Sequence, residues 1–168
     1  MICIAGKNQC AIGALEYLIS HPDIEVKTIC VSPNKDDCGK DTWQPSLIKF
    51  AHENEIIIKT LDQLYEIEEL LFFSLEYDSI IKTHNFKSKK LYNFHFSLLP
   101  KYRGCHTNYL QIKNGEKFSG VTLHEIDDGI DTGKILAEKE FKIEDNDTIK
   151  TLHLKANKLF PKLILESI

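Results

Sequence analysis

Residues 93–104 read Asn-Phe-His-Phe-Ser-Leu-Leu-Pro-Lys-Tyr-Arg-Gly. An apolar strand pattern runs into a proline, two cations and a glycine, so a buried-looking strand gives way to a polar turn. Side chains alternate across a strand, which puts Asn93 and His95 on one face and Phe94 and Phe96 on the other. An amide and an imidazole held together at a strand end can serve one carbonyl. The amide N–H can stabilise a developing oxyanion, and the imidazole can give or take a proton. Taken alone, the pair also fits a turn-satisfying amide and a core histidine, the commoner outcome for so short a motif.

Working outward, apolar runs alternate with helical patterns. "ICIAG" is a first strand, and "CAIGALEYLISH" follows with Ile12, Leu15, Leu18 and Ile19 at helical spacing until His21-Pro22 stops it. "IEVKTICVS" reads as a second strand that closes a βαβ unit. A polar loop containing Pro33, Gly39 and Trp43 leads to a helix over "PSLIKFAHEN", with Pro45 in its first turn. "IIIK", "LLFFSL" and "LYNFHF" are further strands, with a short helix over "LDQLYEIEE" and a solvated helix end over "KSKK" at residues 87–90. Strands alternating with helices imply a mostly parallel twisted sheet covered on both faces, with ligands beyond the carboxyl ends of its strands.

The last third differs. "GVTLHEI" and "GKILAEKEF" are strands joined by a short Gly- and Asp-rich connection, as in an antiparallel hairpin. Asp147 fits the N-cap of a final helix whose apolar positions are Ile149, Leu152, Ala156, Leu159 and Leu163, with Pro161 set to kink or shorten it. The connection carries Asp127, Asp128 and Asp131. A carboxylate beside His95 would orient its ring and raise its pKa, although a solvated acidic loop has the same composition.

Composition narrows the classes. The chain has 168 residues, 42% hydrophobic, and a formal net charge of −4, which suits one globular domain spanning residues 1–168 and gives no general attraction to nucleic acid or membrane. No apolar run reaches the ~20 residues of a membrane span. The N-terminus lacks the basic start of a signal peptide, which points to the cytoplasm. Five cysteines with no CxxC pair read as reduced structural thiols, Cys3 and Cys30 among them on strands, and no metal site is expected. No G-x-G-x-x-G follows the first strand, which argues against a nicotinamide or flavin cofactor. Trp43 is the sole tryptophan; it can stack on a base or cover the edge of the core, and the core is the favoured placement.

"NFHFSLLPKYRG" followed by "GVTLHEIDDGIDTGKIL" resembles the folate-dependent formyltransferases, over most of the chain. "AGKN" at residues 5–8 and "FFSLEYDSII" at 72–81 make it most similar to those acting on nucleotide-linked amino sugars. The resemblance implies a Rossmann-like α/β formyltransferase fold with an antiparallel hairpin near the C-terminus. It implies transfer of a formyl group from 10-formyltetrahydrofolate to the amine of an amino-dideoxy sugar such as dTDP-4-amino-4,6-dideoxyglucose, for lipopolysaccharide or other glycan synthesis, without a metal. It places catalysis on Asn93, His95 and Asp131, and the folate along Ser74, Leu75, Glu76, Tyr77 and Asp128. The nucleotide diphosphate falls to Lys7, Asn8, Lys101, Arg103, His106, Thr107 and Asn108, Arg103 being able to fork onto phosphate. The partner is then a small-molecule nucleotide sugar, and a homodimer is left open. Sugar enzymes of this type extend beyond the segment matching Ile168, and that C-terminal extension is expected to be absent here. Methionyl-tRNA formyl transfer is the rival activity, but it normally needs a basic RNA-binding domain. A non-catalytic folate- or nucleotide-binding remnant is the rival from another class.

Overall fold

The computed structural model describes residues 1–165. It divides into two compact units, Met1–Tyr92 and Asn93–Ile168. Seven strands and six α-helices occur among the described residues.

The first unit is built around β1 (Ile2–Gly6), all five residues of which are buried. It pairs in parallel with β2 (Ile29–Pro33) on one side and with β4 (Leu71–Leu75) on the other, and β2 pairs in parallel with β3 (Ile57–Ile58). A central parallel strand covered on both faces needs a continuous apolar run, and "ICIAG" and "LFFSL" supply two of them. α1 (Asn8–Ser20) buries Cys10, Ala11, Ile12, Ala14, Leu15 and Leu18 and ends just before His21-Pro22. α2 (Leu47–Glu53) is capped by Ser46, whose hydroxyl accepts from the Lys49 N–H. α3 (Leu61–Tyr65) starts with a Thr60–Gln63 capping box.

Several expectations for this unit need correction. β2 is shorter than "IEVKTICVS": residues Val26–Thr28 form a 3-10 turn, closed by the Thr28 N–H and hydroxyl donating to the Glu25 carbonyl. Glu25 and Lys27 are exposed, and such residues have no place in a sheet covered on both faces. Pro45 precedes the cap of α2 rather than sitting in its first turn. α3 stops at Tyr65 because Glu66, Glu68 and Glu69 would add negative charge to the negative end of the helix. The basic run 87–90 is not a helix end. Lys87 pairs with Glu66 at 2.7 Å and Lys90 with Glu69 at 3.3 Å, while the Ser88 hydroxyl donates to the Leu70 carbonyl. Trp43 does not cover the core; it is 82% exposed.

β5 (Lys90–His95) begins in the first unit and ends in the second, where β5, β6 and β7 are neighbours in that order. β6 (Phe118–Glu125) and β7 (Ile135–Lys142) form the expected antiparallel hairpin, from Phe118 opposite Lys142 to His124 opposite Ile135, with a register shift between Leu123 and His124. β6 buries its six central residues, whereas β7 buries none, as an edge strand does. α4 (Thr107–Lys113) lies between β5 and β6. The final helix is split into α5 (Ile149–Asn157) and α6 (Phe160–Leu165), with Pro161 in the first turn of α6, where its missing N–H costs nothing. Thr148 takes the N-cap expected of Asp147; Asp147 instead accepts from the Glu144 N–H and the Thr151 hydroxyl.

Phe94 and Phe96 project away from Asn93 and His95 and pack on Phe160, with ring centroids 5.1 and 4.8 Å apart. Phe160 is fully buried. Phe160→Ala should therefore cost about 3–5 kcal/mol, read as a lower urea midpoint; a loss under about 1 kcal/mol would show that these rings do not hold the second unit together.

Candidate active site

The alternation of β5 delivers Asn93 and His95 to the same side, and a turn of β6–β7 delivers the carboxylate that meets them. The connection, residues 126–134, is a closed loop. The Glu125 N–H donates to the Lys134 carbonyl at 2.9 Å, and Asp127 accepts from the Gly129 N–H at 3.0 Å and the Thr132 hydroxyl at 2.7 Å. Gly133 passes so close to the Glu125 carbonyl oxygen that an added Cβ would lie 1.8 Å from it, so no other residue fits. Asp131 adopts φ +50°, a left-handed conformation that Asp tolerates better than most side chains.

Asp131 gathers donors on both carboxylate oxygens. Oδ1 accepts from Asn93 Nδ2 at 3.2 Å and lies 3.4 Å from His124 Nε2. Oδ2 accepts from the Gly104 N–H at 2.8 Å and lies 3.3 Å from His95 Nδ1. The carboxylate orients the Asn93 amide, because only the NH2 group can face it. The other amide hydrogen of Asn93 points to His124 Nε2 at 3.1 Å, which is the acceptor in that bond, and His124 Nδ1 donates to the Glu125 carbonyl at 2.8 Å. His95 Nε2 donates to the Tyr102 carbonyl at 2.7 Å. Tyr102 and His106 have φ of +57° and +60° and Gly104 +85°, so the loop after β5 is tightly wound. It is anchored by the Tyr102 hydroxyl, which donates to Glu116 at 2.8 Å.

An asparagine, two histidines and an aspartate thus meet in one cluster within the second unit. The formyl transferase family matches over residues 79–168, which include all four. The chain belongs to the formyl transferase family.

Two solved structures are close to this formyl transferase chain. A sugar 3N-formyl transferase, WlaRD, solved in the presence of dTDP and 5-N-formyl-THF, is 50% identical with a TM-score of 0.92 over 98% of this chain and 60% of its own. An N-formyltransferase from Helicobacter canadensis, in complex with folinic acid and dTDP-3-aminofucose, is 46% identical with a TM-score of 0.92 over 99% of this chain and 63% of its own. Among curated relatives, the methionyl-tRNA formyltransferase of Clostridium tetani is 34% identical over 99% of this chain and 57% of its length. The chain therefore spans about three fifths of the length of these relatives.

Within this formyl transferase site, His124 is the residue the sequence reading passed over. It lay inside the quoted "GVTLHEI", and alternation from Thr122 put it seven residues before Asp131 on the same hairpin. The other carboxylates of the connection do different work: Asp127 staples the loop and Asp128 is exposed. The remaining candidates are not gathered around His95 in the same way. In the first unit, Lys7 and Asn8 follow β1, and the Lys7 N–H donates to the Leu75 carbonyl. Ser74 and Leu75 are buried at the end of β4, the Glu76 carbonyl accepts from Asn34 Nδ2, and the Tyr77 hydroxyl bonds the Ser32 hydroxyl. In the second unit, Lys101 reaches Glu116 at 3.4 Å, Arg103 and His106 are exposed, Thr107 is buried, and Asn108 holds a buried Oδ1 without a hydrogen-bond partner.

The electrostatics of the cluster follow from burial set against partners. Burial works to raise the Asp131 pKa, but His124, His95 and the Gly104 N–H together hold it below the ordinary carboxylate value. Burial is also the largest influence on His95 and lowers its pKa, with the Asp131 charge and the Tyr102 carbonyl opposing and His124 reinforcing. A neutral His95 carrying its proton on Nε2 is the form this favours near pH 7. Because the folded pKa of His95 lies below its ordinary 6.5, the unfolded chain binds more protons once the pH drops below that value, and stability falls with it. Asp131 adds a loss at lower pH, as the pH falls from 3.8 through its depressed folded value. Replacing His95 by Gln should flatten the decline in urea midpoint between about pH 7 and pH 5. A decline as steep as that of the wild type would assign the loss to other groups.

Proposed function

We propose that the chain transfers a formyl group from 10-formyltetrahydrofolate to the amine of a dTDP-linked amino-dideoxy sugar. The single observation that carries this reading is the likeness, at 50% and 46% identity over nearly the whole chain, to sugar N-formyltransferases solved with a formyl-folate and with dTDP or a dTDP-3-amino sugar. The methionyl-tRNA reading has lower identity behind it, 34% over 99% of the chain and 36% over 62% of it. The names of the two sugar enzymes favour an amine at the 3-position of the hexose.

The cluster suits the chemistry. The neutral amine attacks the formyl carbon, a C–N bond forms, and negative charge develops on the formyl oxygen. Asn93 Nδ2 is the donor for that charge, turning one hydrogen from His124 toward the oxyanion. As the tetrahedral intermediate collapses, the bond from carbon to the folate N10 breaks. The amine loses a proton, N10 gains one, and the products are the N-formyl sugar and tetrahydrofolate. His95 is the carrier for that proton, and Asp131 stabilises the imidazolium while it holds the charge. Asp131 holds the NH2 side of the Asn93 amide toward the cluster, and the hydrogen now directed at His124 Nε2 is the one that turns to the oxyanion. Lys101, Arg103 and the start of α4 offer cationic and polar groups for the diphosphate.

The test is an incubation with 10-formyltetrahydrofolate and a dTDP-3-amino-dideoxyhexose, with the formylated sugar followed by mass spectrometry. The wild-type chain should form it, and His95→Asn or Asn93→Ala should slow formation by roughly a hundredfold or more while the fold stays intact. Near-normal turnover by either variant would remove the proposed mechanism. Transfer to methionyl-tRNA with none to the nucleotide sugar would replace the substrate class.

A further inference from the structure

The exposed indole of Trp43 sits on a loop that is pinned on both sides. The Asp37 carboxylate accepts from the Gly39 N–H at 2.9 Å, the Ser46 hydroxyl at 2.6 Å and the Ile48 N–H at 3.1 Å. Asp41 accepts from the Ser46 N–H at 3.0 Å and pairs with Lys49. The Thr42 N–H donates to the Gln44 carbonyl at 2.9 Å, directly across Trp43. A single exposed apolar side chain is ordinary on a protein surface. This one differs because a fixed turn holds it at the wall of a cavity of about 240 Å3 that reaches Lys7 and Asn8 at the end of β1.

The character of the cavity points to a class of ligand. Its volume, about 240 Å3, is below the ~300–1,000 Å3 of pockets that enclose a whole ligand, so it suits one ring rather than an entire nucleotide sugar. Lys7 and Lys40 are matched by Asp36 and Asp37, and the Asp37 oxygens are already occupied by the loop, so the wall is close to neutral. Asn8, Thr42 and Gln44 supply donors and acceptors around the indole. An aromatic face beside amide and hydroxyl edges is what a flat heteroaromatic ring needs: stacking on one side and hydrogen bonds at its rim.

We propose that Trp43 and this cavity form a stacking subsite for the nucleobase of the acceptor, so that Trp43 helps select a nucleotide-linked sugar. The inference rests on the nucleotide-sugar reading above, and its test separates the two. Trp43 is the only tryptophan in the chain, so its emission reports on the subsite directly. Titration of the full chain with dTDP should quench that emission saturably, whereas inorganic pyrophosphate should not. By calorimetry, Trp43→Ala should weaken dTDP binding at least about tenfold and Trp43→Phe, which keeps an aromatic face, by no more than about threefold. Unchanged dTDP affinity in Trp43→Ala would overturn the subsite and leave the nucleotide-sugar reading standing. No dTDP binding by the wild type would overturn both. Saturable quenching by 5-formyltetrahydrofolate but not by dTDP would assign the ring to the pterin and overturn the nucleobase subsite.

Discussion

The carboxylate of Asp131 is the constraint around which the second unit is arranged. Its side chain is only 12% exposed, and an ionised carboxylate so far from water is tolerated only when donors replace the lost hydration. The donors are Asn93 Nδ2 on β5 and the Gly104 N–H in the loop after it, and two imidazole nitrogens, His95 Nδ1 on β5 and His124 Nε2 on β6, stand 3.3 and 3.4 Å from the carboxylate. Both donors must be in place for the charge to be satisfied. The same contacts orient the Asn93 amide and stand against the His95 ring, so the bonds that satisfy the carboxylate also aim the groups proposed to act on the formyl carbon.

That demand explains local oddities that would otherwise be unrelated. Gly104 at φ +85° turns its N–H onto Asp131, and Tyr102 at φ +57° turns its carbonyl onto His95. Left-handed conformations at non-glycine residues are costly and survive where surrounding bonds over-determine them, here the Tyr102–Glu116 anchor. The first unit uses the same device for a different end. Asp37 draws in the backbone and side-chain donors of the Trp43 loop and of the start of α2, and so gives a long polar connection one shape.

Much of this was legible in the sequence because it rests on periodicity. The apolar runs of β1 and β4, the alternation of β5 and the β6–β7 hairpin are patterns of two, and the pairing of Asn93 with His95 is a direct consequence of one of them. The convergence of Asp131 on that pair is a long-range contact, which the residues alone left open and family resemblance proposed. What failed to show was decided by tertiary balance. The acidic run after α3 ended that helix early and met the basic run at 87–90, so neither segment followed its own helical pattern. Trp43 read as a core residue because large aromatics usually are; the loop that turns it outward is held by carboxylates whose partners are not adjacent in sequence. His124 was passed over because its importance comes from two neighbours on other elements rather than from any motif of its own.

The measurement that bears most directly on this account is single-turnover formyl transfer in the Asp131→Asn protein, with dTDP and formyl-folate binding measured alongside by calorimetry. Asn keeps the shape of the side chain and removes its charge. If Asp131 aims Asn93 and steadies the protonated His95, both ligands should still bind while the transfer rate falls by about a hundredfold or more. A rate within about threefold of the wild type, with both ligands bound, would mean that the carboxylate supports the fold but takes no part in the chemistry.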